Sequence, residues 1–147
     1  PAAAQTSGGQ RARRRRLVRG VDMPQSFSIT DIGRRREMNQ DFIFSSDLPL
    51  GSLSCLYLVA DGMGGHQAGE LAAKYTAETV VDYVAQVDED DPEELLRDAC
   101  KVANTRIRMM AARHREYYGM GTTLVGCTMS KYSREQKCYP TISILTI

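Results

Sequence analysis

Asp41 opens the apolar run Phe42-Ile43-Phe44, and Asp61 closes the run from Leu53 to Ala60. If these runs form neighbouring antiparallel strands, as consecutive strands usually do, both carboxylates arrive at one sheet edge. Carboxylates that share a cleft repel each other unless a proton or a cation lies between them. Hard divalent ions such as Mg²⁺ and Mn²⁺ take oxygen ligands of this kind, together with carbonyls and water. The carbonyl of Gly62 is a natural additional ligand. Arg36, five residues before Asp41, can offer a planar fork to a phosphate. Metal, phosphate fork and acidic edge together describe metal-assisted phosphoryl hydrolysis.

The stretch Asp61-Gly62-Met63-Gly64-Gly65-His66 joins the second acid to a helical pattern that begins at Ala68. This strand–loop–helix order sets Asp61 at the carboxyl edge of a sheet, where open α/β sheets bind ligands. Gly62, Gly64 and Gly65 read as positions whose backbone conformation is closed to other residues, and they bring the chain close to whatever Asp61 holds. A dinucleotide-type phosphate cradle is excluded by spacing, since Gly-x-Gly-x-x-Gly would need glycine at Gln67, and no Gly-Lys-Ser/Thr occurs. A lone Asp-Gly is most simply a helix-capping turn. The second acid at Asp41 sets this one apart.

Several elements must position these residues. Phe27, Ile29 and Ile32 alternate with Ser28 and Thr30 as in a half-buried strand that Gly33 ends. A polar loop leads to a second strand at Phe42-Ile43-Phe44, and Asp47 to Gly51 reads as a turn. The third strand, Leu53 to Ala60, has the apolar density of burial on both faces. A helix is predicted from about Ala68 to Val87, with Ala73, Ala77, Val80, Val81, Val84 and Val87 on the face that packs on a sheet. Asp91-Pro92-Glu93-Glu94 is a helix start. The second helix carries Leu96, Ala99, Ala103, Ile107 and Met110 along one stripe and ends near Arg113, antiparallel to the first. Strands follow over Thr122–Thr128 and from Cys138 to Ile147.

With 147 residues the chain can bury one core. Residues 1–20 hold six arginines and no acid, which leaves thirteen basic against eighteen acidic groups in the remainder. That acidic balance argues against nucleic-acid binding by the folded part. Residues 1–23 read as a disordered Arg-rich tail. Cys55, Cys100, Cys127 and Cys138 show no C-x-x-C spacing and lie mostly in apolar runs, as buried reduced thiols in a reducing cytoplasm would. Neither His66 nor His114 is paired with a cysteine, so no zinc site is expected. No apolar run is long enough to span a membrane. With Pro1 in place of an initiator methionine, the chain reads as a fragment or a trimmed gene product.

Three ordered blocks resemble the metal-dependent protein serine/threonine phosphatases of the protein phosphatase 2C (PP2C, or PPM) type, especially the bacterial branch. They are Asp31-Ile32-Gly33 with Arg36-x-x-Asn39-Gln40-Asp41, then Val59 to His66, then Gly119-Met120-Gly121-Thr122-Thr123-Leu124-Val125. The resemblance implies an α+β fold, the PP2C-like four-layer α-β-β-α sandwich, here incomplete at the C-terminus. It implies two Mn²⁺ or Mg²⁺ ions in the complete domain, bridged by a water that attacks phosphoserine or phosphothreonine in proteins. On the matching motifs, Asp41, Asp61 and Gly62 correspond to metal ligands, Arg36 to the phosphate-binding arginine, and Gln40 to a residue that orients them. A phosphorylated protein is the implied substrate, and a cognate serine/threonine kinase the implied counterpart in the cytoplasm.

Two departures from the family pattern stand out. Met63 occupies the position where some members carry a histidine after Asp-Gly, as in the bacterial branch, and His66 reads as a helix-start residue rather than a general acid. No Asp or Gly follows Gly126, although the family's Gly-Asp-Ser-Arg block and distal aspartates belong there. The expected organisation is thus a partial phosphatase domain over 24–147, family-like to about residue 126 with an atypical tail after it, and impaired catalysis as it stands. The alternative is a non-catalytic module that binds a phosphoprotein or another partner through Arg36.

Overall fold

The computed structural model describes residues 24–65, 67–131 and 138–146, with side chains described up to residue 129. The Arg-rich segment 1–23 and His66 lie outside the described residues. Strand β1 spans Asp41–Ser46 and β2 spans Leu56–Met63. Helices α1, Gln67–Gln86, and α2, Pro92–Arg113, follow. A single 3₁₀ turn at Arg115–Tyr117 leads to β3, Gly121–Lys131, and then β4, Cys138–Thr146. The strands form one antiparallel sheet in the order β1-β2-β3-β4.

Alternation along β2 explains the layering. Leu56, Leu58, Ala60 and Gly62 are buried, whereas Tyr57, Val59, Asp61 and Met63 belong to the other face. The buried set meets Ala73, Ala77, Val80 and Val84 of α1, and Leu95, Leu96, Ala99 and Ala103 of α2 join the same core. Small residues on α1 let it lie close to the sheet. Asp91 caps α2 by accepting the Glu93 amide at 2.9 Å, with Pro92 in the first turn. A cap of this kind contributes about 1 kcal/mol. Cys55 and Cys100 are buried free thiols and Cys127 is half-buried. Burial pushes the Cys100 and Cys127 thiols above their ordinary range, which keeps them protonated. No helix among the described residues is long and apolar enough to cross a membrane.

Two expectations need correction. Residues 24–32 form no strand, and Phe27 and Ile29 are 88 % and 75 % exposed. Neither side chain joins the hydrophobic core. The segment is tied to β1 and to Asp47 just beyond it by polar contacts instead: the Ser26 hydroxyl and amide both donate to Asp47, and the Thr30 hydroxyl donates to Asp41. The strand expected over Leu53–Ala60 starts later and ends later, because Gly62 and Met63 pair with Thr122 and Gly121 of β3. It is buried on one face, not two. Ile43, Val59 and Val125 stand opposite one another across β1, β2 and β3, and Val59 is 49 % exposed.

Candidate metal and phosphate site

Asp41 and Asp61 are direct partners in the β1–β2 register. Directly opposed residues on neighbouring antiparallel strands have Cα atoms about 5 Å apart, so the two carboxylates meet at one edge. Asp41 is half-buried and Asp61 exposed. The Asp41 amide donates to Asn39 Oδ1 at 3.0 Å, and its carboxylate accepts the Thr30 hydroxyl at 3.2 Å. Asn39 Nδ2 in turn donates to Thr30 Oγ1 at 3.0 Å. Two side chains, Thr30 and Asn39, therefore fix the first acid. The second is fixed through its backbone: buried Thr122 donates its hydroxyl to the Asp61 carbonyl at 2.9 Å.

Gly62 sits where β1, β2 and α1 converge. Its amide donates to the Gln40 carbonyl at 3.0 Å. A Cβ there would lie 2.0 Å from the Gly69 carbonyl oxygen and 2.9 Å from that of Gln40. Glycine is needed at this position for close approach rather than for its dihedral freedom. The φ of 117° at Gly64 does demand glycine, and Gly65 has neither constraint. The glycine loop thus divides its labour differently from the expectation that all three provide unusual backbone conformations. The Gln40 side chain lies against Gly69, so Gln40 links the site to the first turn of α1.

Arg36 is exposed and lines a cavity of about 430 Å³ with Glu37, Met38 and Gln40, the residue next to Asp41. A larger cavity, about 640 Å³, is lined by Tyr75, Val102, Arg106 and Met109 and holds none of the site residues. Met63 is exposed at the end of β2. The structure thus brings Asp41, Asp61 and Gly62 together and sets Arg36 beside Gln40 at their margin. The sequence reading missed Thr30, Thr122 and Gly69. A hydroxyl that reaches across a loop leaves no spacing signal. Gly69 was visible only as another glycine at a helix start.

Two carboxylates opposed at one sheet edge are oxygen donors of the kind a hard divalent cation takes. Among the described residues no group of three or more His, Cys, Asp or Glu is close enough to hold a metal by itself.

Comparison with known proteins places these features in a family. The family model for protein phosphatase 2C matches residues 33–135. The serine/threonine phosphatase stp of Listeria welshimeri is 34% identical over 110 residues, covering 69% of this chain and 41% of the relative. A solved serine/threonine phosphatase of S. agalactiae superposes with a TM-score of 0.57 at 35% identity, over 69% of this chain and 42% of the other. The catalytic domain of the serine threonine protein phosphatase PstP, solved in complex with two manganese ions, superposes with a TM-score of 0.55 at 28% identity, over 65% and 39%. The chain spans about two fifths of the length of the curated relatives it matches.

Proposed function

Because this chain belongs to the protein phosphatase 2C family, we propose that it contributes one wall of a metal-dependent site that hydrolyses phosphoserine and phosphothreonine in proteins. Asp41, Asp61 and the Gly62 carbonyl are the residues that would hold Mn²⁺ or Mg²⁺, two ions being expected in the complete site. A bound ion of this type polarises phosphoryl oxygens and lowers the pKa of water. Arg36 binds the phosphoryl group as a planar fork at the margin of the carboxylates. Thr30 and Asn39 hold Asp41 in place, and Gln40 links the site to the first turn of α1. The observation that carries this reading is the direct opposition of Asp41 and Asp61 in register.

The sheet face crossed by Ile43, Val59 and Val125 is the surface on which a second sheet completes a four-layer α-β-β-α sandwich. Residues 24–147 act in this reading as part of a phosphatase domain, in the cytoplasm and opposite a serine/threonine kinase. A binding-only role has one observation in its favour: among the described residues no group of three or more His, Cys, Asp or Glu gathers at the site. The two are separated by assaying the 147-residue chain and its Asp61→Asn variant for Mn²⁺ binding and phosphothreonine-peptide turnover. The expected result is weak, Asp61-dependent Mn²⁺ binding with little turnover by this chain, and chelator-sensitive turnover by a protein that carries the full set of ligands. Mn²⁺ binding indifferent to Asp61 removes the metal assignment. Robust turnover by the 147-residue chain removes the view that its site is partial.

A further inference from the structure

The site's charge does not end with Arg36. Arg34, Arg35 and Arg36 are consecutive, all exposed, and occupy the tip of the loop between Thr30 and Asn39. The base of that loop is closed by the Asn39–Thr30 hydrogen bond and pinned to the Asp41 carboxylate through Thr30. Its first turn is set by the Gly33 amide, which donates to Asp31 Oδ1 at 2.7 Å, with Gly33 at φ 75°. The arginines are therefore carried on a short loop anchored at the candidate metal edge, rather than on a distant surface. None of the three makes an ion pair or hydrogen bond among the described residues, although Glu37 is adjacent in sequence. Three cations concentrated there contrast with the acidic balance of residues 21–147.

Resting on the phosphatase reading above, the geometry points to Arg34 and Arg35 as specificity-determining residues that select phosphosites flanked by aspartate or glutamate. One arginine is enough to fork a phosphoryl group. The two beside it are left to read the substrate's neighbouring side chains. Adjacent loop positions are about 3.8 Å apart, close to the step of an extended peptide, so their reach covers residues within about three positions of the phosphoresidue. Exposed guanidinium–carboxylate pairs are each weak and screened by salt, which makes this a preference rather than an absolute filter.

The test is fluorescence anisotropy of labelled peptides on the full 147-residue chain. The peptides are a phosphothreonine peptide with acidic flanks, one with neutral flanks, and the acidic peptide without phosphate. The acidic phosphopeptide should bind about fivefold more tightly than the neutral one, with the gap closing as salt approaches about 0.5 M. R34S/R35S should abolish the gap and leave affinity for the neutral phosphopeptide unchanged. Both side chains are exposed and unpaired, so the variant should melt at the parent temperature. Equal affinity for the two phosphopeptides overturns the selectivity while phosphate dependence, and with it the phosphatase reading, stands. Binding that ignores phosphate and is untouched by Arg36→Ala overturns the functional reading and this inference together. Competition by single-stranded RNA of matched charge, at equal strength to the acidic phosphopeptide, assigns the loop to general polyanion binding and also overturns it.

Discussion

Replacing Gly62 by alanine adds one methyl group where three pieces of backbone converge. That carbon would lie 2.0 Å from the Gly69 oxygen, 2.4 Å from its carbonyl carbon and 2.9 Å from the Gln40 oxygen. Real Cβ contacts do not fall under 3.0 Å, so the start of α1 must move away from β2 by about 1 Å. No flexible side-chain tip is available to yield at the two closest contacts, and the Gly62–Gln40 hydrogen bond lies in the path. Overpacking in a well-packed region costs about 1–3 kcal/mol, and a clash confined to backbone belongs at the upper end. A loss of about 3 kcal/mol lowers the melting temperature by roughly 10 °C in a chain of this size. Gly65→Ala is the matched control, since its Cβ would meet nothing within 4 Å and its φ is not left-handed. Circular dichroism melts of the two variants provide the comparison. If Gly62→Ala melts with the parent, or Gly65→Ala falls equally, the close-approach argument is wrong.

Other substitutions probe separate links. Asp61→Asn should cut Mn²⁺ affinity about tenfold or more, because ligand charge sets affinity in oxygen sites, while thermal stability holds; isothermal titration reads the first and a melt the second. The stability should survive since Thr122 bonds the Asp61 carbonyl, not its carboxylate. Thr76 is fully buried with no hydrogen-bond partner for its hydroxyl among the described residues, so Thr76→Val should stabilise the chain by about 1 kcal/mol in urea titrations. An unchanged or lower urea midpoint would mean that the hydroxyl is satisfied. Burial works to raise the Asp47 pKa, but bonds from Ser26 and the Tyr57 hydroxyl outweigh it and hold the carboxyl below its ordinary value of 3.8. Its contribution is therefore complete above that value and fades as pH falls through the lower folded-state pKa. Asp47→Asn should flatten the stability–pH profile in that acid range and leave the slope near neutrality alone.

Much of the site was legible because it depends on local rules. Apolar runs bounded by acids, joined by a turn, put Asp41 and Asp61 at one sheet edge, and the register sets them directly opposite. The Asp91-Pro92 helix start and the stripes on both helices were likewise local signals, and α1 and α2 fall within one residue of their expected ends. What escaped depends on partners distant in sequence. Phe27 and Ile29 alternate as a strand does, but alternation says nothing about whether a neighbour exists to pair with. The density of apolar residues in β2 suggested two covered faces, and Val59, on the second, is left half-exposed. At Gly62 the residue type was informative and its reason was not, since crowding by Gly69 is a tertiary fact.

The alternation of β2 ties the half-exposed face and the candidate site into one surface. Asp61 lies on the side of Val59 and Met63, while Gly62 lies beneath α1. A second layer placed over Ile43, Val59 and Val125 would therefore approach the Asp61 carboxylate from the same side. Covering that row removes apolar area from water, worth about 25 cal/mol per Å². It also lowers the local dielectric around two facing carboxylates, which strengthens their repulsion unless a cation accompanies the new layer. The apolar gain and the electrostatic cost thus fall on adjacent residues of one strand. A divalent ion converts the second from an obstacle into a further attraction. On the proposed metal assignment, burial of the sheet face and binding of an ion at Asp61 would favour each other through β2.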